Sequence, residues 1–561
     1  MAETPRIPDY LKPYIVAQDA TKYTAIDHAS WRFILKISRA FFAKHAHPLY
    51  LNGLAETGIS TERIPLISEM DAKLRRFGWQ AVAVSGFIPP AVFMEFLSRG
   101  ILPIACDMRK LENIAYTPAP DIVHEAAGHA PIISDPEYAK YLKHYGELAE
   151  KAIFSKQDLD VYEAVRELSD MKENPRSTPE QITASEKKLE LAGAAVDHVS
   201  EATQLGRMGW WTIEYGLLGD EKNPKIYGAG LLSSVSESYN CLNPVVKKIP
   251  LTVDCVDMTY DITQPQPQLF VAKDFKTLVK ALDDLAERLA YRRGGTEGLE
   301  KAKKAATVTT TVLDTGIQIS GVVERFETNE HGKILFLKYS GPVQLSYQGK
   351  ELPHQGPAHH AQGFSSPLGH IRTQTENKIE FESGIRLEGT PIGQLERDGK
   401  LILRSFKDCR VTSAKGETLF DPAWGPFDLA CGNEVISVYG GAADRSQYLA
   451  ATGGFGQEPG SQKTNLTAEN KELNQLYARV RNVREDKRFD APAIAELDQV
   501  AGSLETNYPH DWLLRYELLE LDTRHGLEST WSTQIKKRLD EAATVSQNQN
   551  DLIRRGLEAL Q

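Results

Sequence analysis

Apolar positions follow two regimes along the chain. In the front half they recur at spacings of three and four. Asp135-Pro136, a cap followed by proline at the first helical position, leads into Tyr138, Tyr141, Leu142, Tyr145 and Leu148. That tyrosine stripe reads as core packing. Phe275, Leu278, Val279, Leu282, Leu285 and Leu289 define a second amphipathic helix, ending at Gly294-Gly295. The charged stretch 150–206 between them reads as a helical pair laid on the surface, broken near Asn174-Pro175-Arg176-Ser177-Thr178-Pro179. Beyond a joint at Lys301, Lys303 and Lys304 the period changes to alternation. Ile317 with Ile319, Ile334-Leu335-Phe336-Leu337, Leu401-Ile402-Leu403 and Val435-Ile436-Ser437-Val438 are strand-like, and Asp398-Gly399 signals a hairpin. A Gly-rich joint, 452–460, leads to a charged helical tail. The pattern predicts a mainly helical region, 1–295, a β-rich module, 307–451, and a helical C-terminal region, 465–561, with no internal repeat.

At 561 residues the chain has room for about three to four domains. Its net charge of −11 argues against a broad nucleic-acid footprint and against attraction to anionic membrane. No apolar run approaches the ~20 residues of a membrane span, and a start carrying Glu3, Arg6, Asp9 and early prolines does not read as a signal peptide. The five cysteines, Cys106, Cys241, Cys255, Cys409 and Cys431, are odd in number and lack CxxC spacing, so a reduced, cytoplasmic location is the default expectation.

Chemistry concentrates in Asp121-Ile122-Val123-His124-Glu125-Ala126-Ala127-Gly128-His129 and, far downstream, Trp210-Trp211-Thr212-Ile213-Glu214-Tyr215-Gly216. Two imidazoles and a distant carboxylate are the ligand set of a mononuclear metal site with open positions. Zinc proteases set their histidines four apart on one helical face; five apart, at ~100° per residue, they fall about 140° out of register. One undistorted α-helix does not present both to one ion. Gly128 is therefore expected to end or bend the helix and redirect His129. Taken alone, the string is equally a helix that happens to carry two histidines, or a zinc hydrolase site with Glu125 as general base.

The surrounding sequence resembles the biopterin-dependent aromatic amino acid hydroxylases at several places. Tyr116-Thr117-Pro118-Ala119-Pro120-Asp121-Ile122-Val123-His124-Glu125 with Gly128-His129 is similar to that family's metal segment, and Trp211-Thr212-Ile213-Glu214-Tyr215-Gly216-Leu217 to its third-ligand segment. Tyr227-Gly228-Ala229-Gly230-Leu231-Leu232-Ser233-Ser234, with Glu237 behind it, is the most specific match. Lesser ones are Tyr23-Thr24-Ala25-Ile26-Asp27-His28-Ala29-Ser30-Trp31-Arg32 and the run from Gln264 to Ala272. They occur in family order from about Tyr23 to Arg293, and the interval between His129 and Glu214 is longer than the family's usual one.

The resemblance implies a mainly α catalytic domain of the aromatic amino acid hydroxylase type, followed here by the β-rich module and the helical tail. It implies His124, His129 and Glu214 as ligands of Fe(II), with O2 and tetrahydrobiopterin or a related tetrahydropterin as co-reactants. It places Gly86, Phe87, Ile88, Phe93 and Glu125 around the pterin, Phe93 as the stacking ring. Arg109 takes the substrate carboxylate, and Thr117, Pro118, Trp210, Tyr215, Gly230 and Ser233 complete the pocket; Glu125 and Ser233 are the side chains with a catalytic part. Asp121 either orients Arg109 or a ligand imidazole, or simply caps the helix. Three departures stand out: Pro89-Pro90 replaces small polar residues and removes two N–H donors, Gly209 replaces a tyrosine near the iron, and Ala126-Ala127 replaces bulkier residues. The last two are expected to widen the site.

The expected reaction is ring hydroxylation of an aromatic amino acid, phenylalanine to tyrosine first, tryptophan or tyrosine as alternative substrates. The rear half is expected to bind or assemble, with a homo-oligomer formed through the C-terminal region as one outcome. His354, His359, His360 and His370 in a Gly- and Pro-containing loop read as ordinary exposed histidines. Because the resemblance begins within the first few dozen residues, control through a separate domain is expected from the rear half.

Overall fold

The protein's structure, a computed structural model, describes residues 7–86, 88–115, 120–173, 177–262, 264–453 and 461–561. The expected break at Asn174-Pro175-Arg176 and most of the Gly-rich joint, 454–460, lie outside the described residues.

The long helix Ala25–His45 opens with a capping box, Thr24 and Asp27 exchanging side-chain and backbone hydrogen bonds. It is buried on nearly every face of its first half because the C-terminal helices cover what the front half leaves bare. Phe33 packs edge-on against Trp512 and Tyr516, at ring-centroid distances of 5.0 and 4.9 Å. Leu476, Tyr477, Val480, Leu504, Leu514 and Leu518 share one continuous core with Trp31, Tyr141 and Trp211. A buried ion network seals this contact. Glu517 accepts from Arg32 Nε (3.1 Å) and lies 3.3 Å from Arg484, while Glu520 pairs with Lys36 and with Arg484 at 2.9 Å. Burial pushes the Glu517 carboxyl upward, but the two arginines outweigh it and hold it at about 2.

Two small sheets frame the front half. Gln80–Val84 pairs in parallel with Ile101–Ala105, and the loop and helix between them, Pro90–Ser98, form the crossover. A four-stranded sheet runs in the order Lys225–Ile226, Leu217–Leu218, Gln268–Ala272, Lys247–Pro250. The expected amphipathic helices are present as Pro136–Ala149, capped by Asp135, and Phe275–Ala286. All five cysteines are free. Among the described residues no helix is long and apolar enough to cross a membrane.

The rear half holds two six-stranded sheets. One runs Lys350–Glu351, Ile334–Tyr347, Ile317–Thr328, Val308–Leu313, Val435–Gly440, with Gly363–Pro367 also on Ile334–Tyr347. The other runs Ile371–Gln374, Lys378–Phe381, Arg386–Arg397, Lys400–Thr412, Thr418–Phe420, with Phe427–Ala430 also on Lys400–Thr412. Asp398 and Gly399 form the two-residue turn expected of them, both at positive φ (50° and 74°), which matches the twist of the flanking strands.

Two readings change. The lysine-rich joint is the helix Gly295–Ala305, whose Leu299, Ala302 and Ala305, three apart, bury one face in the core of the first six-stranded sheet. The helical pair is not wholly a surface feature. Pro179–Ala194 is largely exposed, but Lys156–Glu173 brings Tyr162 and Val165 into the wall of the central cavity.

Candidate metal centre

His124 and His129 come together because the chain from Val123 to His129 is wound as a π-helix. Its hydrogen bonds run from i to i+5, so residues five apart stand one turn apart and share a face. This corrects the expected bend at Gly128: the helix widens and does not break. Gly128 serves close approach instead, since a Cβ there would lie 2.6 Å from the carbonyl oxygen of Ala229. The third ligand segment, Trp210–Glu214, is also a π-turn, closed by the Tyr215 N–H donating to the Trp210 carbonyl at 2.8 Å. Gly228 lets the backbone following Tyr227 pass, as its Cβ would meet the Glu214 carbonyl at 2.4 Å.

The three side chains converge, with each Glu214 oxygen turned to a different imidazole. His124 Nε2 and His129 Nε2 are 3.2 Å apart, and the Glu214 oxygens lie 3.4 Å from the first and 3.3 Å from the second. Ligand atoms on one divalent cation at about 2.0–2.2 Å each have this mutual spacing. The tautomer of His124 is set: Ser233 Oγ gives its proton to the Ala229 carbonyl (2.8 Å) and therefore accepts from His124 Nδ1–H (2.9 Å), leaving Nε2 bare. Tyr141, from the tyrosine stripe, donates to Thr212 Oγ1 at 2.8 Å and so steadies the Glu214 turn.

The cluster is electrostatically polarised. Burial holds the His124 imidazole down to about 4. Burial also works against charge on His129, but the Glu214 carboxylate and then Glu125 outweigh it and raise it to about 9. Glu214 is resisted by burial yet drawn down to about 2 by the two histidines. A metal needs the neutral imidazole, so His129 alone must surrender a proton at neutral pH. Anaerobic Co(II) titration calorimetry at pH 7, in buffers of different ionisation heat, should show at least one proton released per ion, and affinity should rise about tenfold per pH unit until about pH 9. Affinity flat from pH 6 to 9 contradicts this assignment.

Around these side chains lies a cavity of about 470 Å³ lined by Gly86, Ile88, Phe93, Arg109, Glu125, Trp210, Tyr215, Gly230 and Ser233 among others. These residues are thus brought together with the three candidate ligands, while Phe87, Thr117 and Pro118 lie outside the described residues. Asp121 plays both parts open to it. Its two oxygens take Arg109 Nε at 2.7 Å and Nη2 at 2.8 Å, and Oδ1 also caps the π-helix at the His124 N–H, 3.0 Å. Burial opposes its charge, but Arg109 holds its carboxyl below the ordinary value. With Arg109 Nη1 donating to the Ser233 carbonyl (3.2 Å), one N–H on each terminal nitrogen is left over among the described residues. Glu125 is buried and pushed up to about 8, chiefly by that burial, and its Oε2 has no hydrogen-bond partner among the described residues.

The site is not widened at Gly209, because the Tyr145 hydroxyl lies 2.5 Å from where a Cβ would be, held by donation to the Leu205 carbonyl. Ala126 and Ala127 are fully packed in the core and open nothing. The Gly86 N–H is already donated to Asp107 (3.2 Å) and is not spare for a ligand. Pro89-Pro90 costs the helix little, since Pro90 is its first residue, where an N–H has no intrahelical partner anyway. Residues that sequence reasoning missed are Tyr145, Tyr162, Val165 and Tyr260. Tyr260 stacks on Trp210 at 4.3 Å, and Trp210 also stacks on Tyr215 at 4.4 Å. Only Tyr145 left a trace in the sequence, as part of the tyrosine stripe opposite an unusual glycine.

A second cluster brings His359, His360 and Asp428 together. His354, His359 and His370 are exposed as expected, but His360 is buried. Its Nε2 is 2.7 Å from Gln355 Oε1, and His359 Nε2 is 3.0 Å from Asp428 Oδ2. With these atoms already hydrogen-bonded, the cluster braces its loop.

The fold and the site together define a class. The profile of the biopterin-dependent aromatic amino acid hydroxylase family matches residues 14–153 and 182–330, slightly more than half of the chain, and the chain belongs to that family. The phenylalanine-4-hydroxylase of Ralstonia nicotianae is 29% identical over 290 residues, covering 49% of this chain and 79% of the relative. That of Chromobacterium violaceum is 26% identical over 285 residues, covering 48% and 81%. A solved structure of the latter enzyme with iron and phenylalanine bound aligns at 26% identity over 50% of this chain and 88% of that one, with a TM-score of 0.37. The family profile skips 154–181, which contains the whole helix Lys156–Glu173.

Proposed function

We propose that this chain hydroxylates the ring of phenylalanine to tyrosine, using iron(II), a tetrahydropterin and O2. The observation that carries the reading is the convergence of His124, His129 and Glu214, at 3.2–3.4 Å contacts, in the cavity that also holds Arg109 and Phe93. Its donor set, two neutral imidazoles and one carboxylate, suits a divalent iron with open positions. Such an ion, when bound, supplies the activation of oxygen by the reduced pterin.

The chain's own residues do the rest. Arg109, fixed by Asp121, offers its remaining N–H groups to the substrate carboxylate. Trp210 and Tyr215 supply the aromatic side of the slot for the substrate ring. Phe93 provides a stacking face for a flat pterin, and Glu125, whose Oε2 has no hydrogen-bond partner among the described residues, is a polar anchor for its ring nitrogens. Ser233 ties both halves, accepting from His124 through Oγ and from Arg109 through its carbonyl. Phenylalanine is preferred over tryptophan and tyrosine because the curated relatives named above are phenylalanine-4-hydroxylases.

Purified protein given iron(II), tetrahydrobiopterin, air and each aromatic amino acid separately should convert phenylalanine to tyrosine with pterin oxidation in step. Hydroxylation of tryptophan or tyrosine alone would transfer the reading to that substrate. No ring hydroxylation of any of the three would end it.

A further inference from the structure

The segment expected to carry the pterin is braced from behind by the rear half of the chain, and this inference rests on the pterin reading above. The brace acts at both ends. At the first, Asp107 Oδ2 accepts from the Gly86 N–H at 3.2 Å and the Ser85 hydroxyl at 3.3 Å, while its Oδ1 accepts from the Lys463 N–H at 2.7 Å. Lys463 belongs to the strap after the Gly-rich joint, whose Asn465 also donates to Asp27 (2.7 Å) and to the Met108 carbonyl (3.0 Å). At the second end, the carboxylate of Glu95, in the helix Pro90–Ser98, is 1% exposed. It receives Arg445 Nη1 at 3.0 Å, Arg99 Nη2 at 2.8 Å and the Tyr10 hydroxyl.

Arg445 begins the helix that follows the last strand of the first six-stranded sheet. Its Nη2 also donates to the Glu150 carbonyl at 2.7 Å, at the end of the helix that supplies Tyr141 and Tyr145. One guanidinium therefore ties the β-rich module to two walls of the cavity. Phe93 and Glu95 are two residues apart, about 200° around the helix axis, so one faces the cavity while the other faces back. Whatever fixes Glu95 fixes the rotation of Phe93.

We infer that Arg445 is a positioning residue for pterin binding, acting through Glu95 on the face that Phe93 presents, so that the β-rich module tunes pterin affinity without touching the ligand. Glu95 keeps Arg99 and Tyr10 when Arg445 is changed, so the helix stays anchored while its orientation loosens.

The test uses the full chain. In Arg445→Met the calorimetric Kd for 7,8-dihydrobiopterin and the KM for tetrahydrobiopterin should rise about 3- to 30-fold, while kcat and the amino acid KM stay within about twofold of wild type, the residual scatter of independent sites. Arg445→Lys, which keeps the charge but loses the fork, should fall between, and it carries the test if the methionine variant unfolds. Unchanged pterin binding, or equal rises in both KM values, would overturn the inference while leaving the functional reading standing. Wild-type protein that binds no pterin would overturn both.

Discussion

Glu214→Gln should bind iron(II) at least about a hundredfold more weakly than wild type, since even partners one step removed from a metal change affinity by 10–100-fold, and it should have no measurable hydroxylation. The substitution is nearly isosteric, so the π-turn can persist, but it removes the charge that raises His129 to about 9. His129 should then fall, because burial, the first influence on it, disfavours its protonated form. The variant should release less proton on binding what metal it still accepts. Tight iron binding by Glu214→Gln, measured by anaerobic titration, would mean that the carboxylate is not a ligand.

Arg109→Met should have the largest effect on stability. Arg109 and Asp121 are both almost wholly buried, and removing one partner of such a pair costs about 3–5 kcal/mol because a charge is left uncompensated. The lower end is expected here, because Asp121 keeps the backbone N–H groups of residue 109 and His124. Arg109 depresses the Asp121 carboxyl, so its stabilisation is present above the unfolded aspartate pKa and fades as pH falls through the folded one. The gap between wild type and variant in urea unfolding should accordingly narrow in acid. In the folded variant, the amino acid KM should rise about tenfold to a hundredfold, the worth of about 1.5–3 kcal/mol for a charged hydrogen bond. A KM unchanged for phenylalanine would remove Arg109 from the substrate's carboxylate.

The sequence showed which residues carry chemistry better than how they meet. His124, His129 and Glu214 were legible as ligand types in family order, yet their spacing pointed to a bend. Side-chain periodicity has no signature for a π-helix, and the contacts around the two turns, Gly128 against Ala229 and Tyr141 on Thr212, join residues far apart in the chain. The alternation of strands and the turn at Asp398-Gly399 were local and therefore readable. Contacts between residues hundreds of positions apart were not: nothing near Glu95 announces Arg445, and nothing near Arg32 announces Glu517. Compensation was equally hidden, because Gly209 reads as empty space until Tyr145 is seen to occupy it.

His124, His129 and Glu214, from two π-turns, should together hold one iron. X-ray absorption of the anaerobic iron(II)-loaded protein, compared with His129→Ala loaded the same way, tests it most directly. Wild type should show one tightly bound iron with two imidazole shells and a carboxylate oxygen, and the variant should lose the bound metal. An unchanged iron spectrum in His129→Ala would contradict it.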